Sequence, residues 1–217
     1  DLAKQLGASR CYLRLPAATD RLPYHEYFET QRDRLSQISQ ALEPRGIKLG
    51  VGFRAGKELG EGKEFDFVRN VEGFIALINA VGSSNVGCLV DTWDWVVGDG
   101  AMDQISELPA DSIVAVRLAT LPDDVDAAKA TTVDRVLPEM EGALDHVKLI
   151  AHLESAGFTG PVSPGASSTR YKGTTRESIV QKSQEAVDGI FKAAGLHVAP
   201  LPMDLIEDIP YEPNPIA

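Results

Sequence analysis

Several features that mark common functional classes are scarce or missing in this sequence. It contains two cysteines, Cys11 and Cys88, which fall in separate predicted strands without CxxC spacing, so neither a disulfide nor a cysteine metal site is predicted. No apolar run reaches the ~18 residues that would span a membrane, and the N-terminus does not read as a secretory signal. We therefore expect a soluble, cytoplasmic protein that does not associate with membranes.

Basic residues are also in short supply. Lys and Arg number 21 against 32 Asp and Glu, which gives a formal net charge of -11. Proteins that bind nucleic acid need a basic face to displace counterions from phosphates, so no nucleic-acid partner is expected. No GxGxxG or GxxxxGK[ST] motif follows any predicted strand, which disfavours a nucleotide-binding fold. The expected partner is a small molecule.

What the sequence does contain is a repeated strand–helix pattern. The chain has 217 residues and 43% hydrophobic content, enough for one domain with a sizeable core. Apolar runs predict five strands, at residues 9–15, 47–53, 86–90, 112–118 and 160–163. Amphipathic periodicity predicts the main helices at residues 24–42, 65–80, 144–156 and 176–194, with a shorter one near 102–108. This alternation indicates α/β architecture with five parallel strands adjacent in chain order, over residues 1–196. Residues 197–217, rich in proline and acids, are predicted to form an extended tail.

The candidate site begins at Asp91, where the apolar run from Val86 to Val90 ends abruptly on an acid. A strand buried on both faces ends in this way at the catalytic rim of an α/β barrel, which would place Trp93 and Trp95 beside a pocket. The alternative is that Asp91 caps the following turn while both tryptophans pack under a loop.

Four basic residues follow strand ends or their loops and are expected to gather around Asp91: Arg54, Lys57, Arg117 and Arg135. A buried Arg beside an Asp is most simply an ion pair. The functional interpretation is a pocket for an anionic or polyhydroxylated ligand, in which Arg holds phosphate or carboxylate and tryptophan faces stack on a sugar. The four histidines, His25, His146, His152 and His197, form no apparent ligand cluster and are predicted to be structural or exposed.

Five segments together resemble the xylose-isomerase-like TIM barrels, which are sugar and sugar-phosphate isomerases and epimerases. They are IKLGV at 47–51, NVGCLVDTW at 85–93, VAVRL at 114–118, RVLP at 135–138 and AGFTGPVSP at 156–164. The resemblance covers the last five of the eight units in a (β/α)8 barrel, so about 80 to 100 residues would precede Asp1. A five-strand arc cannot close. A missing N-terminal segment or a homo-oligomer is therefore expected to complete it.

The resemblance implies a divalent metal (Mn, Mg, Zn or Co) held by acids and histidine at the strand ends, with two glutamates moving the proton. The sequence departs from that pattern at four positions. Gly52 stands where the first glutamate is expected, and Gly165 stands at the closing glutamate. Asp94 and Arg117 replace two histidines, so that only Asp91 is kept.

An arginine in a metal shell repels the ion, and loss of both glutamates removes the acid and the base. No metal is therefore expected, although Asp91 and Asp94 remain the candidate ligands if one is bound. Two functions stay open: an isomerase or epimerase with a reduced metal site, and a non-catalytic relative that binds a ligand or a partner. In either case Arg117 and Asp91 should pair across the strand ends, and Arg117→Ala should cost about 3 kcal/mol.

Overall fold

The computed structural model describes residues 2–199, so the tail predicted for 197–217 lies almost wholly outside the described residues. The strands are β1 (Arg10–Arg14), β2 (Ala18–Thr19), β3 (Lys48–Gly52), β4 (Phe65–Asp66), β5 (Val86–Asp91), β6 (Ile113–Leu118) and β7 (Val162–Pro164). The α-helices are α1 (Leu2–Gln5), α2 (Tyr24–Leu42), α3 (Val71–Val81), α4 (Thr92–Val97), α5 (Met102–Ser106), α6 (His146–Ser155) and α7 (Arg176–Ala193).

Five of these strands form one parallel sheet in the order β1-β3-β5-β6-β7. Every neighbouring pair in it is parallel, which confirms the predicted arrangement of five parallel strands in chain order. The result is a partial (β/α) barrel.

The register of the sheet brings the carboxyl ends of β1, β3, β5 and β6 to one rim. Arg14 pairs with Gly52 across β1 and β3, and Asp91 pairs with Arg117 across β5 and β6. A shift in pairing between Cys88 and Leu89 adjusts the second register. Because parallel strands lie only ~4.8 Å apart, side chains from these ends can meet over the rim.

The main hydrophobic core fills the space between the sheet and helices α2, α3, α6 and α7. Helix α2 buries Tyr27 and Leu35, which lie eight residues apart on one face, as the sequence periodicity predicted. Helix α3 is capped by Asn70, whose side chain accepts a hydrogen bond from the Gly73 amide at 2.9 Å, and it buries Phe74 and Leu77.

The helix predicted to start at residue 65 in fact starts at Val71. Phe65–Asp66 instead pairs with Ala18–Thr19 as a short antiparallel ribbon that lies outside the main sheet. Phe67 continues this extended segment, where its backbone N–H donates to the Ala17 carbonyl at 2.9 Å and its ring is buried. The apolar residues before Asn70 are thus core residues of a loop, and their helical spacing was misleading.

Both cysteines are free, as predicted, and burial raises the pKa of Cys88 to about 12. Within residues 2–199 no helix combines the length and the apolar character needed to cross a membrane.

His146 is a buried structural histidine that ties α6 to the strand rim. Its Nδ1 donates to the Glu139 carbonyl at 2.5 Å, while its Nε2 lies 2.9 Å from the Thr92 hydroxyl. Because Nε2 of this neutral tautomer is an acceptor, the Thr92 hydroxyl donates to it, and Thr92 Oγ1 in turn accepts a hydrogen bond from the Ala119 amide at 2.9 Å. Burial lowers the pKa of His146, so the folded protein favours the neutral ring.

The pH dependence of stability should report this burial. A histidine whose folded pKa is depressed contributes stability that is complete above its unfolded pKa of ~6.5 and is lost as the pH falls below that value. We expect the free energy of unfolding to fall between pH 7 and 5 by up to about 1 kcal/mol per pH unit, and His146→Asn to flatten this slope. Urea denaturation across this range measures it, with the exposed His25→Asn as control. An unchanged slope in His146→Asn would contradict the assignment.

Candidate functional site

Asp91 lies at the carboxyl end of β5 and serves both roles that its sequence context allowed. Its Oδ1 accepts a hydrogen bond from the Asp94 amide at 3.3 Å and so caps α4. Its Oδ2 faces a cluster of arginines over the strand rim. Capping and participation in a polar site are therefore not alternatives here, since one oxygen atom serves each.

Asp91 and Asp94 together form a buried carboxylate pair held by two guanidinium groups. Arg135 is bidentate across the pair, with Nη1 at 2.5 Å from Asp91 Oδ2 and Nη2 at 2.8 Å from Asp94 Oδ2. Arg14 spans the same two atoms, at 2.5 Å and 3.4 Å. Asp94 Oδ1 accepts a further hydrogen bond from the Ala55 amide at 3.0 Å. All four carboxylate oxygens thus have a donor.

Burial and charge act differently on the two acids. Burial by itself would raise the pKa of Asp91, but the charges of Arg135 and Arg14 hold that pKa below its usual value. Burial and then the negative charge of Asp91 raise the pKa of Asp94. Opposed shifts of this kind are expected when two acids share one set of cations and the second must ionise beside the first.

Arg117 meets Asp91, as the sequence predicted, but it is the most distant of the three arginines. Its Nε lies 3.9 Å from Asp91 Oδ2, and 37% of its side chain is exposed, against 6% for Arg135. The same Nε is buried and has no hydrogen-bond partner among residues 2–199. Since Asp91 is already paired twice, removal of Arg117 would leave less charge uncompensated than the sequence alone suggested.

Arg135 reaches the rim because the long connection after β6 folds back over the strand ends. The segment is shaped by two 3-10 turns, Ala127–Lys129 and Thr132–Asp134, and is joined to the loop after β3. Glu58 accepts hydrogen bonds from both the amide and the hydroxyl of Thr132, and the Lys57 amide donates to the Ala130 carbonyl at 2.9 Å.

Neither tryptophan presents an open face to the cavity, in contrast to the sequence interpretation. Trp93 and Trp95 are fully buried. Trp95 packs against Phe53 and Phe74 in the main core, and its indole N–H donates to the Ala101 carbonyl at 3.1 Å. Trp93 lies beneath the Arg135 guanidinium, 4.8 Å from ring centroid to Cζ, so its face is occupied by a cation of the protein itself.

A cavity of about 190 Å³ opens beside the cluster. It is lined by Arg14, Arg54, Asp94, Arg117, Thr132, Arg135, Ala166 and Ser167. Arg54 and Arg117 therefore lie where the sequence predicted them, whereas Lys57 lines a different depression with Asp66 and Arg69. Arg54 makes no ion pair or hydrogen bond with any described residue, so its charge faces the cavity uncompensated.

Arg14 is the site residue that sequence reasoning missed. It is the last residue of β1 and pairs in register with Gly52, so it stands at the same rim as Asp91. The available signal was its place at the end of the first predicted strand, where barrel sites are built. Within residues 2–199 no group of three or more His, Cys, Asp or Glu side chains could hold a metal ion.

A family model described as xylose isomerase-like TIM barrel matches residues 1–190. The chain belongs to this family. A search of curated proteins finds no significant match. Among solved structures, a xylose isomerase domain protein from Alicyclobacillus acidocaldarius superimposes with a TM-score of 0.76 at 25% identity, covering 89% of this chain and 68% of that one.

Two further structures share the fold. The IolI protein with a binding zinc atom has a TM-score of 0.70 at 22% identity, over 88% of this chain and 66% of its own. An L-ribulose 3-epimerase has a TM-score of 0.59 at 14% identity, over 98% of this chain and 69% of its own. This chain thus spans about two thirds of the length of these relatives.

The two arginines should differ sharply in their effect on stability. Arg135→Ala leaves two buried carboxylates short of their main partner and should cost roughly 3 to 5 kcal/mol in free energy of unfolding. Arg117→Ala removes a more exposed and more distant charge and should cost about 1 kcal/mol or less. Urea denaturation of both variants beside the wild type measures this. Equal losses would contradict the dominant role of Arg135.

Proposed function

We propose that this chain binds a small anionic or polyhydroxylated molecule at the strand rim, without metal-dependent isomerisation. The observation that carries the proposal is the pairing of Asp91 and Asp94 with Arg135 and Arg14, beside a cavity that keeps two further arginines. Structures that share this fold include an L-ribulose 3-epimerase and a sugar phosphate isomerase/epimerase, which makes a sugar-like or phosphate-bearing ligand the natural candidate.

The donor set does not fit a divalent metal. Every oxygen of Asp91 and Asp94 accepts a hydrogen bond, and the nearest donors are cations. An incoming ion would have to displace both Arg14 and Arg135 and would be repelled by the guanidinium groups that remain nearby. A carboxylate has no natural place at the closing position either. A Cβ added to Gly165 would stand 2.4 Å from Arg117 Nε.

The charge balance of the cavity favours an anion. Four arginines face it or reach its edge, while Asp91 and Asp94 supply two negative charges. Arg14 and Arg135 are committed to these acids. Arg54 and Arg117 are left to hold a phosphate or carboxylate, for which the guanidinium fork is suited. Hydroxyl groups of Thr132 and Ser167 line the same wall and suit polar substituents.

The second candidate is a sugar or sugar-phosphate isomerase or epimerase with a reduced metal site on Asp91 and Asp94. It is favoured by structural neighbours that include a D-tagatose 3-epimerase-like protein and a sugar phosphate isomerase/epimerase. In that case the metal would polarise a substrate carbonyl. The two candidates differ in what they require of the carboxylates, which must be free of arginine in the isomerase.

Anion binding can be measured by isothermal titration calorimetry with inorganic phosphate and glycerol 3-phosphate against neutral glycerol. We expect both phosphates to bind and glycerol not to bind. Arg54→Ala should weaken phosphate binding by about tenfold, because it removes an uncompensated charge from the cavity wall. Arg34→Ala, at an exposed position on α2, is the matched control. Equal affinity in Arg54→Ala and wild type would overturn the assignment of this cavity.

Metal content separates the two candidates. Elemental analysis of protein purified without chelator should find less than one Mn, Mg, Zn or Co per chain, since Arg14 and Arg135 occupy the carboxylates. A stoichiometric ion that is lost on Asp91→Asn would instead support the isomerase. The exposed Asp33→Asn serves as the control for unspecific loss of charge.

A further inference from the structure

A second cavity adjoins the one proposed to bind an anion. It has a volume of about 280 Å³, and two residues, Arg117 and Ala166, line both cavities. Its other lining residues come from the loop before α6, the end of β7, the connection between β7 and α7, and helix α7 itself. They are Leu137, Pro164, Gly165, Ser168, Tyr171, Ile179 and Ser183.

The two cavities differ in chemistry. The first is walled by guanidinium and hydroxyl groups, whereas the second is walled mainly by the carbon atoms of Leu137, Pro164, Ile179 and the Tyr171 ring. It also carries hydroxyl groups on Ser168, Tyr171 and Ser183, but Arg117 is the one charged residue among the described residues that line it. A site for a phosphorylated sugar would need donors and acceptors along the whole ligand, because each buried hydroxyl without a partner costs binding free energy.

Arg117 lies where the cavities meet, and its position depends on Gly165. A Cβ at residue 165 would come within 2.4 Å of Arg117 Nε, so the absence of a side chain there lets Arg117 extend between the two spaces. Its Nε is buried and has no hydrogen-bond partner within the described part of the chain. That atom lies 3.9 Å from Asp91 Oδ2, so it is the exposed part of the side chain, 37% of its surface, that is open to an oxyanion in the cavities.

We propose that the ligand is an amphiphilic anion, with an oxyanion head group between Arg54 and Arg117 and an apolar body in the cavity beside Tyr171 and Ile179. This inference rests on the proposed anion site and adds the class of ligand to it. The head group is a phosphate or a carboxylate, since a guanidinium pair accepts either. The body is a small apolar group such as an aromatic ring, and the molecule as a whole is less polar than a sugar phosphate.

The test compares matched pairs of probes by isothermal titration calorimetry on the full chain. Phenyl phosphate is compared with inorganic phosphate and with glycerol 3-phosphate, and phenylacetate with acetate. Burial of the ring should make the phenyl compound bind at least about tenfold tighter than its partner. A phenyl preference in the phosphate series identifies the head group as phosphate, and one in the acetate pair identifies it as carboxylate.

Two tryptophan substitutions in neighbouring turns of α7 test whether the phenyl group binds in the second cavity. Ser183→Trp fills the second cavity and should abolish the preference for the phenyl compound while leaving the affinity for inorganic phosphate within about twofold of the wild type. Val180→Trp, at a position 63% exposed and outside the cavity, should leave both affinities unchanged. Ile179→Ala, a milder change to the same wall, should reduce the preference if Ser183→Trp does not fold.

The outcomes separate the amphiphilic ligand from the anion site on which it rests. If inorganic phosphate binds and the phenyl group adds nothing in either pair, the amphiphilic ligand is overturned and the anion site stands. A phenyl preference that survives Ser183→Trp also overturns it, because the ring then lies elsewhere. If no anionic probe binds, the anion site and this inference fall together.

Discussion

The arrangement of this protein depends on one requirement: two carboxylates that are almost completely buried must be neutralised. Asp91 and Asp94 are only 3% and 1% exposed, and they lie one helical turn apart where β5 passes into α4. A pair of like charges in such a place is unstable unless cations are brought to it. Arg135 and Arg14 meet that need from either side of β5, one from the connection after β6 and one from β1.

This requirement explains the path of the chain after β6. The connection folds back across the rim, is held to the loop after β3 by Glu58 and Thr132, and delivers Arg135 onto the face of Trp93. Within residues 2–199, neither Glu58 nor Trp93 hydrogen-bonds to the carboxylates. Both position the residue that does, so the loop is fixed by polar contacts at its middle and by a cation–π contact at its end. The cavity wall formed by Thr132 follows from the same fold.

The chain belongs to the xylose isomerase-like TIM barrels, and in barrels of this type sites are built at the carboxyl ends of the strands, where this rim lies. The fold brings the same positions together whatever side chains they carry. Here those positions carry Arg14, Gly52, Asp91 and Arg117. Under the proposed function, the change is from ligands that attract a cation to cations that attract an anion. The missing side chain at Gly165 belongs to this change, since it leaves space that Arg117 uses. One fold can therefore present opposite local charge in the same place.

The sequence by itself determined the parallel sheet, its strand order and the convergence of Asp91 and Arg117, because apolar runs and alternation of strands and helices are local signals that dictate this topology. It also identified Arg135 as a member of the cluster. Only the tertiary structure decided that Arg14 and not Lys57 completes it, and that Trp93 and Trp95 are interior. Residues 65–70 were predicted to be helical because their apolar residues are spaced as in a helix, but a buried loop rich in apolar residues can show the same spacing. Which side chains of a long loop reach the site depends on where the loop returns to the sheet, and no local sequence pattern encodes that path.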